Sequence, residues 1–234
     1  MGNGGQMISK HPRNPIQDQI VHLQRVWNNK HYYDFGIERL IRLTLALSLF
    51  LFPGIYIKSL FNRFGIVARK LSIDFYVLFK FFLPLIFFYF HLTKYTFTVF
   101  MAVYMGLETM VYLASLIYLS NEYPQPISYR RSLTALFINY IEICFDYGVI
   151  YSYCNHNLPH FFKEKLISGM QLVYFSFATS ATVGYGDITP VHKLGQMLVI
   201  TQIIIFMIFV GLFINFFASR IHNTKYHNNE RDFL

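Results

Sequence analysis

Thr182, Val183, Gly184, Tyr185, Gly186 and Asp187 set two glycines around an aromatic residue and follow them with one carboxylate. They lie between two long apolar segments. Unpaired backbone amides and carbonyls are costly in hydrocarbon, so non-helical chain at membrane depth persists only where it is buried in protein or lines a water-filled path. Glycine has no Cβ and reaches backbone angles closed to other residues. Alternating Gly184 and Gly186 with Val183 and Tyr185 can therefore turn successive carbonyls toward one side. A line of carbonyl oxygens can replace the hydration shell of an ion. The spans offer no nucleophile beside a base and no paired His and Glu at helical spacing, so the chain is not expected to be an enzyme and needs no cofactor.

The elements that must hold this stretch follow from composition. The 234 residues are 54% hydrophobic and only 14% charged, against about 25% charged in an average soluble domain. Five apolar runs appear, at Leu40 to Ile57, Ile73 to His91, Phe97 to Leu119, Leu133 to Tyr153 and Leu194 to Ala218. Each is near the roughly 20 residues that cross a bilayer as a helix. The expected fold class is an all-α integral membrane protein. Residues 1–39 read as a polar cytoplasmic segment, 40–132 as N-terminal membrane helices and 133–218 as a pore unit. Residues 219–234 read as a cytoplasmic tail, too short for a folded ligand-binding domain. Within the pore unit the divisions are an outer helix at 133–153, a short helix at 169–181, the glycine stretch at 182–186 and an inner helix at 194–218. The helix at 169–181 is too short to span and runs straight into the glycines. Its carboxyl end carries partial negative charge, which favours a cation.

The formal net charge of +8 would suggest a nucleic-acid partner in a soluble protein. Here most basic residues lie in short loops and at the termini, so the charge reads as topology and no nucleic acid is expected. With the glycine stretch placed outside, the outward loops hold only Lys94, Lys163, Lys165 and Lys193. Four full crossings put both termini inside, and a fifth would move the N-terminus out. The run at 40–57 is interrupted by Pro53 and Gly54 and flanked by Arg39, Arg42 and Lys58. It therefore reads as a re-entrant or interfacial helix, with a true fifth span as the competing reading. Cys144 and Cys154 are too few for a disulfide framework and read as free thiols.

Thr182 to Asp187 match the filter sequence of the potassium channels letter for letter, and the resemblance extends over about Leu133 to Ala218. Carbonyl rings of this motif as a filter are a well-known general example. The resemblance implies a homotetramer in the cell membrane, a multi-pass protein among lipids. It implies that the Thr182 hydroxyl and carbonyl and the carbonyls of Val183, Gly184 and Tyr185 dehydrate K+, the permeant ion, with Gly186 completing the motif. Asp187 is implied as a cap behind the filter. Pro190 and Gly195 resemble the family's turn into the inner helix. Tyr174 and Phe175 stand where many members carry a tryptophan pair, and Ala178 where some carry a carboxylate. Phe206 replaces the frequent hinge glycine, with Gly211 nearer the cytoplasm as either a bend or a close-packing position.

Ionisable groups inside spans are the remaining candidates: Lys80, Glu108, Glu142 and Asp146. A plain ion pair between Lys80 and Glu108 is the first expectation, with a gating or proton-sensing role as the rival. No span carries the repeated Arg or Lys of a voltage sensor. His91, His156 and His160 are read as ordinary surface histidines. The function expected is passive K+ conduction without an intrinsic voltage sensor. A cation channel of relaxed selectivity and a non-conducting auxiliary subunit are the alternatives.

Overall fold

The structure, a computed structural model, describes residues 14–28, 36–118, 129–163 and 168–229. Among these the elements are helices: α1 (Pro15–Asn28), α2 (Ile37–Ser48), α3 (Pro53–Leu60), α4 (Gly65–Tyr89), α5 (Thr96–Tyr118), α6 (Tyr129–Asn157), α7 (Gly169–Ser180) and α8 (Lys193–Asn229), with short 3-10 turns between some of them. One isolated antiparallel bridge pairs Phe162 with Pro190. Four segments are long and apolar enough to cross a membrane, Val67–Tyr89, Thr96–Ser115, Arg131–Asn157 and Lys193–Ile214. The protein is an all-α membrane protein. Lys165 and parts of the termini and of the 120–132 loop lie outside the described residues.

The helices overrun the apolar runs. α4 begins at Gly65, α6 extends from Tyr129 to Asn157, and α8 reaches Asn229. Apolarity marks only the part of a helix that meets hydrocarbon, and polar helix formers continue the backbone ladder beyond it. The polar segment 1–39 contains the helix α1. Asn14 accepts from Ile16 N at 3.2 Å, and Pro15 follows at the first helical position. A cap followed by proline is a start signal that overall polarity hides.

The chain forms two compact units, Met1–Tyr76 with Glu108–Gln125, and Val77–Leu107 with Pro126–Leu234. In the first, α1 packs on α2 and α3. Gln19 donates to the Ala46 carbonyl at 3.2 Å and Ser59 to Asn14 at 2.7 Å. The apolar run at 40–57 is broken within this unit. Phe52 has φ −107° and ψ 147°, and the pieces Ile37–Leu51 and Pro53–Phe64 meet at 58°. Proline excludes the residue before it from the helical region, so Pro53 ends one helix at Phe52 and starts the next.

In the second unit α6 packs on both α7 and α8. Phe87, Ala102 and Val149 form a core, surrounded by Leu83, Phe88, Leu92, Met101 and Ile150. Ser152 donates to Thr93 at 2.8 Å, tying α6 to the turn before α5. α7 starts with a capping box in which Ser168 and Gln171 satisfy each other's backbone N–H groups. Its ring Phe175 meets Tyr151 at 5.0 Å and Phe162 at 5.2 Å, edge to face. The turn into α8 is tight. A Cβ at Gly195 would stand 2.8 Å from Pro190 Cβ and 3.1 Å from Phe161 Cζ. Gly195→Ala is therefore expected to cost about 1–3 kcal/mol through overpacking, read as a lowered melting temperature of the purified chain in lipid.

Candidate functional site

α7 delivers the chain to the glycine stretch. After Ala181, Thr182 has φ +53°, Gly184 φ +66° and Gly186 φ +73°. Every second residue is left-handed. In an ordinary extended strand successive residues face opposite ways, whereas this alternation permits the carbonyls to share a side. Two glycines adopt these angles without strain. Thr182 is β-branched and does so at a cost of order 1–3 kcal/mol, which the surroundings must offset.

The surroundings are visible. Thr182 N–H donates to the Thr179 carbonyl and Val183 N–H to the Ala178 carbonyl, both at 3.0 Å. Ala178 thus supports the stretch through its backbone. Asp187 Oδ1 accepts from Ile188 N at 3.1 Å. The Tyr185 ring lies parallel to Tyr174, with centroids 6.2 Å apart and planes at 14°. Beyond Asp187 the chain is pinned by Lys163 N to Thr189 O at 3.0 Å and by Val191 N to Phe161 O at 3.1 Å.

Behind α7 lies a buried polar network that the sequence reading passed over. Gln202 of α8, 1% exposed, places Nε2 at 2.9 Å from the Ser176 carbonyl, 2.8 Å from Ser176 Oγ and 2.6 Å from Ser180 Oγ. Its Oε1 accepts from the Tyr151 hydroxyl at 2.8 Å, and Ser176 Oγ donates to the Cys144 carbonyl at 2.6 Å. Outer, short and inner helices are joined through one carboxamide. The signal was a glutamine in the middle of the run Leu194 to Ala218, where an amide needs protein partners.

Two of the gating candidates meet directly. Lys80 pairs with Glu142 at 3.1 Å and donates also to the Met105 carbonyl at 3.3 Å. Glu108 accepts from the Tyr76 hydroxyl. Asp146 is buried near Lys80 and Glu142 without a hydrogen bond. Phe206 faces Tyr140, ring centroids 6.2 Å apart. Gly211 lies within the continuous helix α8, and a Cβ there would meet nothing within 4 Å, so it closes no tight contact inside the chain. His91, His156 and His160 are exposed, and no three His, Cys, Asp or Glu residues converge on a metal site among the described residues. Cys144 and Cys154 are buried free thiols.

Residues 139–223 match the model of the ion channel family. The match takes in little more than a third of the 234 residues. No curated protein and no solved structure matches the chain. The channel match begins within α6 and ends within α8, so it takes in α7, the alternating stretch and every member of the Gln202 network. Lys80 and Glu108 lie outside the matched segment, whereas Glu142 and Asp146 lie inside it. Gln202→Leu removes a donor shared by Ser176 and Ser180 and strands the Tyr151 hydroxyl. A loss of about 1–3 kcal/mol is expected, measured by thermal unfolding, with Thr201→Val at the neighbouring position costing less.

Proposed function

We propose that this channel conducts K+ selectively and passively across the cell membrane, with Thr182 to Gly186 as its filter. The observation that supports the reading best is the left-handed backbone at residues 182, 184 and 186, within the six-residue sequence Thr-Val-Gly-Tyr-Gly-Asp. Four copies around one axis would supply a ring of four oxygens at each level. Val183 is 47% and Tyr185 68% exposed in the single chain, apolar surface that neighbouring copies would cover. Tyr174, Ala178 and Asp187 brace the filter from behind. The carboxyl end of α7 adds partial negative charge at the inner end of this path.

For topology we infer that α2 and α3 form a re-entrant or interfacial pair, which leaves four crossings and both termini on the cytoplasmic side. The break at Phe52 and the basic residues on either side of the run support this reading. A cysteine introduced at Asn3 should then react only with reagents that cross the membrane. Labelling from outside in intact cells would make α2 and α3 one broken span.

Under opposed potassium and sodium gradients, the reversal potential of the reconstituted channel should follow potassium. A reversal near zero would leave a cation channel of relaxed selectivity as the better reading. Gly184→Ala should abolish conduction while the protein still assembles, because a Cβ at φ +66° is strained although nothing stands within 4 Å of it. Voltage should matter little. One elementary charge crossing 100 mV changes the energy by about 2.3 kcal/mol, and Lys80, the basic residue deep within a span, moves with Glu142 as a nearly neutral pair. Conductance in symmetric potassium should rise shallowly, with an effective gating charge near or below about 2 per tetramer. Transient gating currents that survive Lys80→Met would show a sensor elsewhere.

A further inference from the structure

Glu142 and Asp146 stand one turn apart on α6, 0% and 2% exposed, near the middle of the Arg131–Asn157 span. Lys80 reaches Glu142 from α4 at 3.1 Å and also bonds the Met105 carbonyl of α5. An ammonium thus faces the Glu142 carboxylate. Neither oxygen of Asp146 has a hydrogen-bond partner among the described residues. The charges that reach it are Glu142 on its own helix and Lys80 on α4, with the Cys144 thiol as a further titratable neighbour. α5 turns Gly106 toward it, where a Cβ would stand 3.8 Å from Oδ2. From α7 the contact beside it is the Phe177 ring on Phe145, 5.2 Å away.

A lone carboxylate without donors is far more costly at this depth than a neutral acid. A hard metal cation fits poorly, since such ions take about six oxygen ligands and no three suitable side chains converge among the described residues. We propose that the missing partner is a proton: Asp146 is a proton-binding site inside the membrane and is present as a carboxylic acid, so that Lys80, Glu142 and Asp146 sum to zero charge. The inference rests on the membrane reading of α6 and not on potassium selectivity. The site lies next to the contacts by which α6 holds α7, namely Cys144 O under Ser176 Oγ at 2.6 Å and Phe145 against Phe177. Loss of the proton would put a charge beside the helix that carries the filter.

The test is infrared spectroscopy of the full chain in lipid bilayers at neutral pH, in water and in deuterium oxide. A deuterium-sensitive carbonyl stretch of a protonated carboxylic acid is expected in the wild type and lost in Asp146→Asn. The melting temperature should stay nearly unchanged in Asp146→Asn, whose amide resembles the neutral acid. Glu142→Gln, which strands the Lys80 ammonium, should lower it by roughly 5 °C or more. A wild type without the band, or a band that survives Asp146→Asn, overturns the proposal. A melting temperature that rises with sodium at constant potassium and ionic strength, in the wild type but not in Asp146→Asn, overturns it in favour of a metal cation. Should Asp146→Asn fail to fold, 13C-aspartate labelling of the wild type decides: a band shifted by the label supports the proton, and an unshifted one overturns it.

Discussion

The constraint that organises this chain is that every backbone amide and carbonyl at membrane depth needs a partner within the protein. Among the described residues, the four long apolar helices meet it with their own ladders. Thr182 to Gly186 cannot, and much of the surrounding structure compensates for that stretch. The carbonyls of Thr179 and Ala178 receive the first two N–H groups of that stretch, while Asp187 takes up that of Ile188. At the other end of α7 the Ser168–Gln171 capping box satisfies the groups where the chain re-enters helix. The strained angle at Thr182 is thus held between two fixed ends, the carboxyl turn of α7 and the Phe161–Val191 pairing.

α6 is the element on which these supports converge. Half of its spanning window is buried inside the chain, against 11% for α8. Its residues reach four other elements: Ser152 meets the turn before α5, Glu142 meets Lys80 on α4, Phe145 and Cys144 meet α7, and Tyr151 meets Gln202 on α8. Small residues allow this. Gly148 brings α6 to α7, where a Cβ would stand 3.4 Å from the Val173 backbone, and Gly169 meets the face of Phe88. α8 instead leaves Met197, Ile200, Ile204 and Met207 uncovered, surface suited to lipid or to another copy.

Legibility in the sequence followed the range of the interactions. The membrane class and α7 could be read locally, because apolar runs and a short helix ahead of glycines are local patterns. The family resemblance rested on consecutive letters, and the matched segment falls in the same part of the chain. The break at Phe52 was equally local, a consequence of Pro53. α1 was missed because its apolar positions, such as Val26, are few among polar neighbours, although Asn14 and Pro15 marked its start. The contact of Lys80 with Glu142 went unread for another reason. Which side chains of two spans meet depends on the rotation of each helix, which no single segment encodes. Gln202 stood out as polar, but its partners lie 22 to 51 residues away along the chain.

That network also has a direction, fixed by its least versatile member. The Cys144 carbonyl can only accept, so the Ser176 hydroxyl must spend its one hydrogen there. Ser176 Oγ must then accept from Gln202, which turns the amide nitrogen toward α7 and its oxygen toward α6. Tyr151 is left with a single role, as donor to that oxygen. The dipoles run head to tail from one side of α6, through α8 and α7, and back to another point on α6. Aligned dipoles of this kind polarise one another, so no single side chain can be turned over alone. The orientation of an amide on the inner helix is thereby set by a peptide bond on the outer one.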